Sequence, residues 1–156
     1  MNRVLLAGIC LQIAVSTSAH ASMCVNGRPS LEREYRESEY VVEGKVSRIV
    51  RDAATSYVYD GQIYHDRVDR VTVRVLSSFK KPSGKTLTFE NPHNSAALPV
   101  QIGRNYLLFL SRSTPSEGLQ VDTCGLSGLM DRERYEARQQ LGRWSKSMPP
   151  FVVNRD

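Results

Sequence analysis

Beyond Ser30 the apolar residues change period several times, and each change marks an element. Ser30-Leu31-Glu32-Arg33-Glu34-Tyr35-Arg36-Glu37-Ser38 places Leu31 and Tyr35 four apart, with Ser30 as a cap and Glu32 and Glu34 near the positive end of a helix dipole. A short helix is expected there, with an incomplete capping box because Arg33 stands three residues after the cap. Tyr40–Val50 turns to period two, with Val42, Gly44, Val46, Arg48 and Val50 on one face, Val41 and Ile49 on the other, and a bend at Gly44. In Ser56-Tyr57-Val58-Tyr59-Asp60-Gly61-Gln62-Ile63-Tyr64-His65, Asp-Gly between β-formers predicts a two-residue type I′ hairpin. Its register follows: Tyr59 opposite Gln62, Val58 opposite Ile63, and Tyr57 opposite Tyr64. The three tyrosines then share one side of a projecting ribbon.

Val71, Val73 and Val75 alternate with Arg70, Thr72 and Arg74 in a strand running to Phe79, which Lys80-Lys81-Pro82-Ser83-Gly84 ends. Leu87 and Phe89 form a short strand, and Asn91–Gly103 reads as an irregular loop. Tyr106–Leu110 is a continuous apolar run suited to burial on both faces, and Leu119, Val121 and Thr123 make a last strand. Asp131–Trp144 is helical in composition, with Asp131 as cap and Tyr135, Arg138, Leu141 and Trp144 roughly on one side. With the hairpin arms counted into their neighbours this makes five strands with helices at the ends. A sandwich wants about 7 strands, so the expectation is a mainly β fold, a five-stranded OB-type closed β-barrel with a short N-terminal helix and a C-terminal helix.

Of the 156 residues 40% are apolar, 24% charged and 8% aromatic, a composition for one globular domain. Val4–Val15 is the long apolar stretch, 12 residues, short of the roughly 20 that span a bilayer. Preceded by Arg3 and followed by small residues ending Ala19-His20-Ala21, it reads as a secretory signal peptide over residues 1–21, cut after Ala21, with Ala19 as the variant. Ile9 before Cys10 does not suit a lipobox. The domain then covers 22–147, and 148–156 is a loose tail. Export points to a periplasmic or secreted protein of the bacterial envelope. The mature count is 20 basic minus 16 acidic residues, or +4. The signs alternate along Leu31–Glu39 and Asp131–Arg138, which suits a solvated surface better than a nucleic-acid footprint. Processing leaves Cys24 and Cys124, and an oxidising compartment would join them in a disulfide closing a loop of about 100 residues, worth at most roughly 4–5 kcal/mol.

No residue set carries catalysis. His65 and His93 lie outside any H-x-x-x-H or C-x-x-C spacing and read as solvated, so neither metal nor cofactor is expected. Ser127 lacks a nucleophile-elbow context, and Asp66, Asp69 and Glu90 read as scattered surface carboxylates.

Five segments together resemble the netrin-like domains, and within them bacterial relatives of the inhibitory domain of tissue inhibitors of metalloproteinases. They are Ser38–Val46, Val71–Lys80, Ser95-Ala96-Ala97, Gly103–Phe109 and Cys124-Gly125, within a stretch from about Ser22 to Cys124. The resemblance implies an OB-fold barrel flanked by helices. It departs in one respect: the family's opening Cys-x-Cys reads Ser22-Met23-Cys24, and its internal Ser-x-x-Cys reads Ser95-Ala96-Ala97-Leu98. One bridge is thus missing at both ends, and Cys24 with Cys124 would be the remaining one. In the animal inhibitors the terminal α-amine and carbonyl chelate the protease zinc, and cleavage after Ala21 would give Ser22 that place. An α-amine of pKa near roughly 8 can yield its proton to zinc at neutral pH. Without the bridge, ordering that terminus costs roughly 1–2 kcal/mol per residue.

The expected activity is therefore protein binding rather than catalysis. The contact residues would be Ser22, Met23, Tyr57, Tyr59, Tyr64, His93 and Asn94, which the resemblance places along one edge. A metalloprotease is one candidate partner. Single-stranded nucleic acid, stacked on the tyrosines with Arg70 and Arg74 on phosphates, is a further alternative that export disfavours, and a structural envelope module is another.

Overall fold

The computed structural model describes residues 27–81, 84–94, 97–112, 117–121 and 124–147, without the side chain of Tyr59. Residues 1–21, Ser22, Met23, Cys24, Ser95, Ala96, Thr123 and residues 148–156, and with them the expected bridge from Cys124, lie outside the described residues. In chain order the elements are α1 (Leu31–Glu37), β1 (Tyr40–Tyr59), β2 (Gln62–Lys80), β3 (Thr86–Pro92), β4 (Asn105–Ser111), β5 (Gln120–Val121), β6 (Gly128–Leu129) and α2 (Arg132–Ser147).

The sheet runs β1-β2-β3-β5-β4-β6, and an additional β1–β4 pairing closes five of the six strands into a ring. All ring pairings are antiparallel except β3 with β5, where Glu90 lies beside Gln120. The two-residue β6 hangs on β4 outside the ring. It adds a strand to the expected five, because two residues carry no readable period.

Every ring strand turns one face inward. Val42 and Val46, Val71 and Val73, Phe89, Tyr106 with Leu108 and Leu110, and Val121 form one buried cluster, with Leu98 and Leu119 from the loops. A second cluster lies on the other side of the β1–β4 wall, where Val41, Phe79, Leu107 and Phe109 meet Tyr35 of α1 and Leu141 of α2. This accounts for the unbroken apolar run of β4: even positions fill the ring and odd ones the helical side, as expected for a strand covered on both faces.

β1 departs from its expected faces. Its register slips at Glu43/Gly44 and again at Val46/Arg48. The first slip agrees with the bend at Gly44, where a Cβ would come within 3.0 Å of Val73. The second moves Arg48 and Val50 off the Val42 face: Ile49 packs on the ring core, while Arg48 is exposed. A period-two reading cannot see a bulge, because one extra residue inverts every position after it.

The helices are fixed by polar groups as well as by apolar faces. The Ser30 hydroxyl accepts from the Arg33 N–H at 3.2 Å and the Asp131 carboxylate from the Arg134 N–H at 3.0 Å, so both caps stand where the sequence placed them. Tyr35 donates to the Phe79 carbonyl at 3.0 Å, and Lys80 to the last carbonyls of α1 at 2.7 Å. The buried Glu34 carboxylate accepts the Leu126 N–H at 2.7 Å, and Arg138 meets Glu43 at 2.5 Å, tying α2 to β1.

Candidate binding surface

β1 and β2 are far longer than the other ring strands, and the excess forms a two-stranded ribbon. β3 leaves β2 at the pair Val68–Pro92, so from there to the turn the two strands pair only with each other among the described residues. The hairpin has the expected register, with Tyr59 opposite Gln62, Val58 opposite Ile63, and Tyr57 opposite Tyr64. Asp60 and Gly61 both take positive φ, 49° and 73°, as a type I′ turn demands. The Tyr57 and Tyr64 rings stack at 5.6 Å with 14° between planes, and the Tyr64 hydroxyl donates to Gln62 at 3.2 Å. On the opposite side Val58 and Ile63 are 57% and 68% exposed. The tip thus shows apolar surface on one face and a paired aromatic platform on the other.

The ribbon does not stand straight out. A register slip between Val50 and Ala53, with Asp52 at φ 51°, redirects it across the outer side of β3. There the Thr55 hydroxyl donates to both Glu90 oxygens at 3.1 Å, and Arg70 donates to the Ala54 carbonyl at 2.8 Å. Beneath it opens a polar groove of about 710 Å³, lined by Thr55, Ser56, His65, Arg67, Arg70 and Glu90 among others. Ser56 lies 2.9 Å from His65 Nδ1, a nucleophile-and-base spacing. A working pair also needs a group orienting the imidazole, and among the described residues no carboxylate bonds His65.

His93 and Asn94 lie at the base of the ribbon. His93 Nε2 is 2.8 Å from Asp69 Oδ1, and its Nδ1 is 3.5 Å from Asp52. The Asp52 N–H also donates to Asp69 at 3.3 Å, and Arg51 pairs with the other Asp69 oxygen. Burial alone would raise the Asp69 carboxyl, but the hydrogen bonds from His93, the Asp52 N–H and Arg51 hold it below the usual carboxylate range. The loop behind His93 is held from within, for the Asn91 side chain accepts the Leu98 N–H at 2.8 Å and donates to the Leu98 carbonyl at 2.9 Å.

Two sequence readings are therefore corrected. His93 is bonded to a buried carboxylate rather than simply solvated, and Asp69 and Glu90 are largely covered rather than scattered on the surface. Asp69 had a readable signal, since it shares parity with Val71 and Val73 and so faces the core side. Glu90 had none, because its cover comes from a ribbon and a loop remote in sequence. The structure brings Tyr57 and Tyr64 together and puts His93 and Asn94 just beyond the pair Val68–Pro92, four residues along β2 from Tyr64.

Among the described residues no group of three or more His, Cys, Asp and Glu side chains could hold a metal ion, and no helix is long and apolar enough to cross a membrane. Neither a scan of protein-family models nor a search of characterised proteins matches the chain.

Proposed function

We propose that this chain is an exported, non-catalytic protein-binding module of the netrin-like type, its ring an OB-type closed barrel and the β1–β2 ribbon its contact surface. The ring order with one parallel pair between β3 and β5 supports the barrel reading. A single observation carries the binding reading: Tyr57, Val58, Ile63 and Tyr64 are all exposed on one ribbon tip, 39% to 68%, although the ring has a filled core without them. Large apolar and aromatic side chains with few rotatable bonds give contact area at small entropic loss, the character of an interface anchor. The loop carrying His93 and Asn94 would form the rim. In this reading Cys24 and Cys124 form a disulfide that secures the N-terminal segment.

A photo-crosslinking residue at Ile63, in cells that export the protein, tests the reading. It should give a discrete protein adduct that the same probe at Ile102 does not, and the double substitution Tyr57→Ser/Tyr64→Ser should remove the adduct while shifting the melting point by no more than about 5 °C. Absence of an adduct, or collapse of the fold in the double variant, refutes the ribbon as a contact surface. The unreduced intact mass of the exported protein tests the rest: Ser22–Asp156 less two hydrogens supports the leader and the bridge, and a retained leader or two free thiols refutes them.

A further inference from the structure

Away from the tip, β1, β2 and β3 share an outer face whose grid follows from the pairing. Lys45 lies opposite Arg74 and Arg74 opposite Thr86; Arg48 opposite Thr72 and Thr72 opposite Thr88; Val50 opposite Arg70 and Arg70 opposite Glu90. The core-side pairs Val46–Val73 and Val71–Phe89 alternate with these, so all nine point away from the ring interior. Arg70 is matched with Glu90 at 3.7 Å. Lys45, Arg48 and Arg74 are exposed, and none has an ion pair or side-chain hydrogen bond among the described residues.

Elsewhere several exposed cations are matched, while Lys85, Arg104 and Lys146, each apart from the others, also have no ion pair among the described residues. Arg28 has Glu133, Arg33 has Glu37, Arg36 has Glu32, Lys81 has Glu39, and Arg132 has Glu136. Directly opposed like charges on a sheet oppose folding, and Lys45 with Arg74 is such a pair, with Arg48 diagonal to it. Folding gains nothing from this arrangement, and an anionic partner does.

The composition of the face selects among anions. Its one apolar member is Val50, so it offers no wedge for a lipid interface, and it has no aromatic ring on which a nucleobase could stack. It does offer three threonine hydroxyls between the cations, Thr72 and Thr88 being 3.1 Å apart. Neighbouring grid positions along β2 and β3, and the diagonal from Arg48 to Arg74, are about 7 Å apart, the spacing of alternate residues in an extended chain, and Lys45 lies directly opposite Arg74. We propose that this face docks an acidic, extended segment of a protein partner, with carboxylates on alternate residues reaching Lys45, Arg74 and Arg48. The inference rests on the protein-binding reading and adds the chemistry of the partner.

The test uses the full exported protein and a labelled soluble peptide of alternating glutamate and threonine, about 12 residues long, followed by fluorescence anisotropy at several salt concentrations. Arg48→Glu/Arg74→Glu should weaken binding at least about tenfold and flatten its salt dependence. Arg132→Glu/Lys146→Glu on α2 makes the same change in net charge and should stay within about twofold of the parent. Equal loss in the two variants means that net charge alone attracts the peptide, and overturns the inference. So does failure of the parent to bind the peptide, or oligothymidine or anionic vesicles binding through Arg48 and Arg74 without competition from the peptide. Circular dichroism checks that both variants fold, and Arg48→Gln/Arg74→Gln should give the same loss if the reversals do not fold. A lost Ile63 adduct with intact peptide binding refutes the ribbon, not this face; the converse refutes this face alone.

Discussion

Asn91 is the residue whose replacement should most clearly expose how the loop beside the ribbon is held. It is 4% exposed, and its amide makes both of Leu98's backbone hydrogen bonds, at 2.8 Å from the N–H and 2.9 Å to the carbonyl, the work a neighbouring strand would otherwise do. Leu98 is itself 8% exposed with its side chain in the ring core, so Asn91→Ala leaves a backbone donor and an acceptor without a partner in a covered place. Each such group costs about 1–3 kcal/mol, for a total of about 3 kcal/mol allowing for partial rescue by water. At this chain length that corresponds to a fall in melting temperature of about 10 °C. Asn91→Asp keeps the acceptor for the Leu98 N–H but sets a charge against the carbonyl, and should be no better than alanine. Thermal melts give the global effect. Hydrogen exchange at the Leu98 amide gives the local one, an acceleration of about a hundredfold if the loop opens by itself. A loss below about 1 kcal/mol with unchanged exchange would refute the reasoning, because it would mean that water satisfies both groups without loss.

Two other outcomes follow from the same region. The Asp69 carboxyl is held below its unfolded value, so the stability it contributes is fully present above about pH 4 and lost as pH falls through the folded value. Denaturant titrations between about pH 5 and pH 2 should therefore show a shallower acid limb in Asp69→Asn than in the parent, and identical limbs would contradict the assignment. A Cβ on Gly118 would lie 2.6 Å from the Glu90 carboxyl carbon, which Thr55 holds in place, so Gly118→Ala should destabilise by about 1–3 kcal/mol. In a Glu90→Ala background the same change should cost less than about 0.5 kcal/mol, and a double-mutant cycle without coupling would show that the contact is not the cause.

Much of the architecture is legible in the chain because it is local. Hairpin register follows from Asp60-Gly61, both helix starts from Ser30 and Asp131, and the two-sided burial of β4 from an apolar run without alternation, each decided by residues within one turn or one pleat. The candidate site was legible only in part. Tyr57 and Tyr64 could be paired from the turn, but the cover over Glu90, the His93–Asp69 contact and the Asn91–Leu98 clamp join segments that no period connects.

The apolar pattern by itself determined five of the six strands, β6 excepted, and which side of most of them is wet. The tertiary structure decided where that pattern is interrupted. The bulges at Glu43/Gly44, Val46/Arg48 and Val50/Ala53 turn Arg48 to the outer face beside Arg74 and fold the ribbon across β3. Such slips are settled by closure of the ring, which requires β1 to pair with both β2 and β4 while bending between them. That requirement is a property of five strands together and is written in none of them singly.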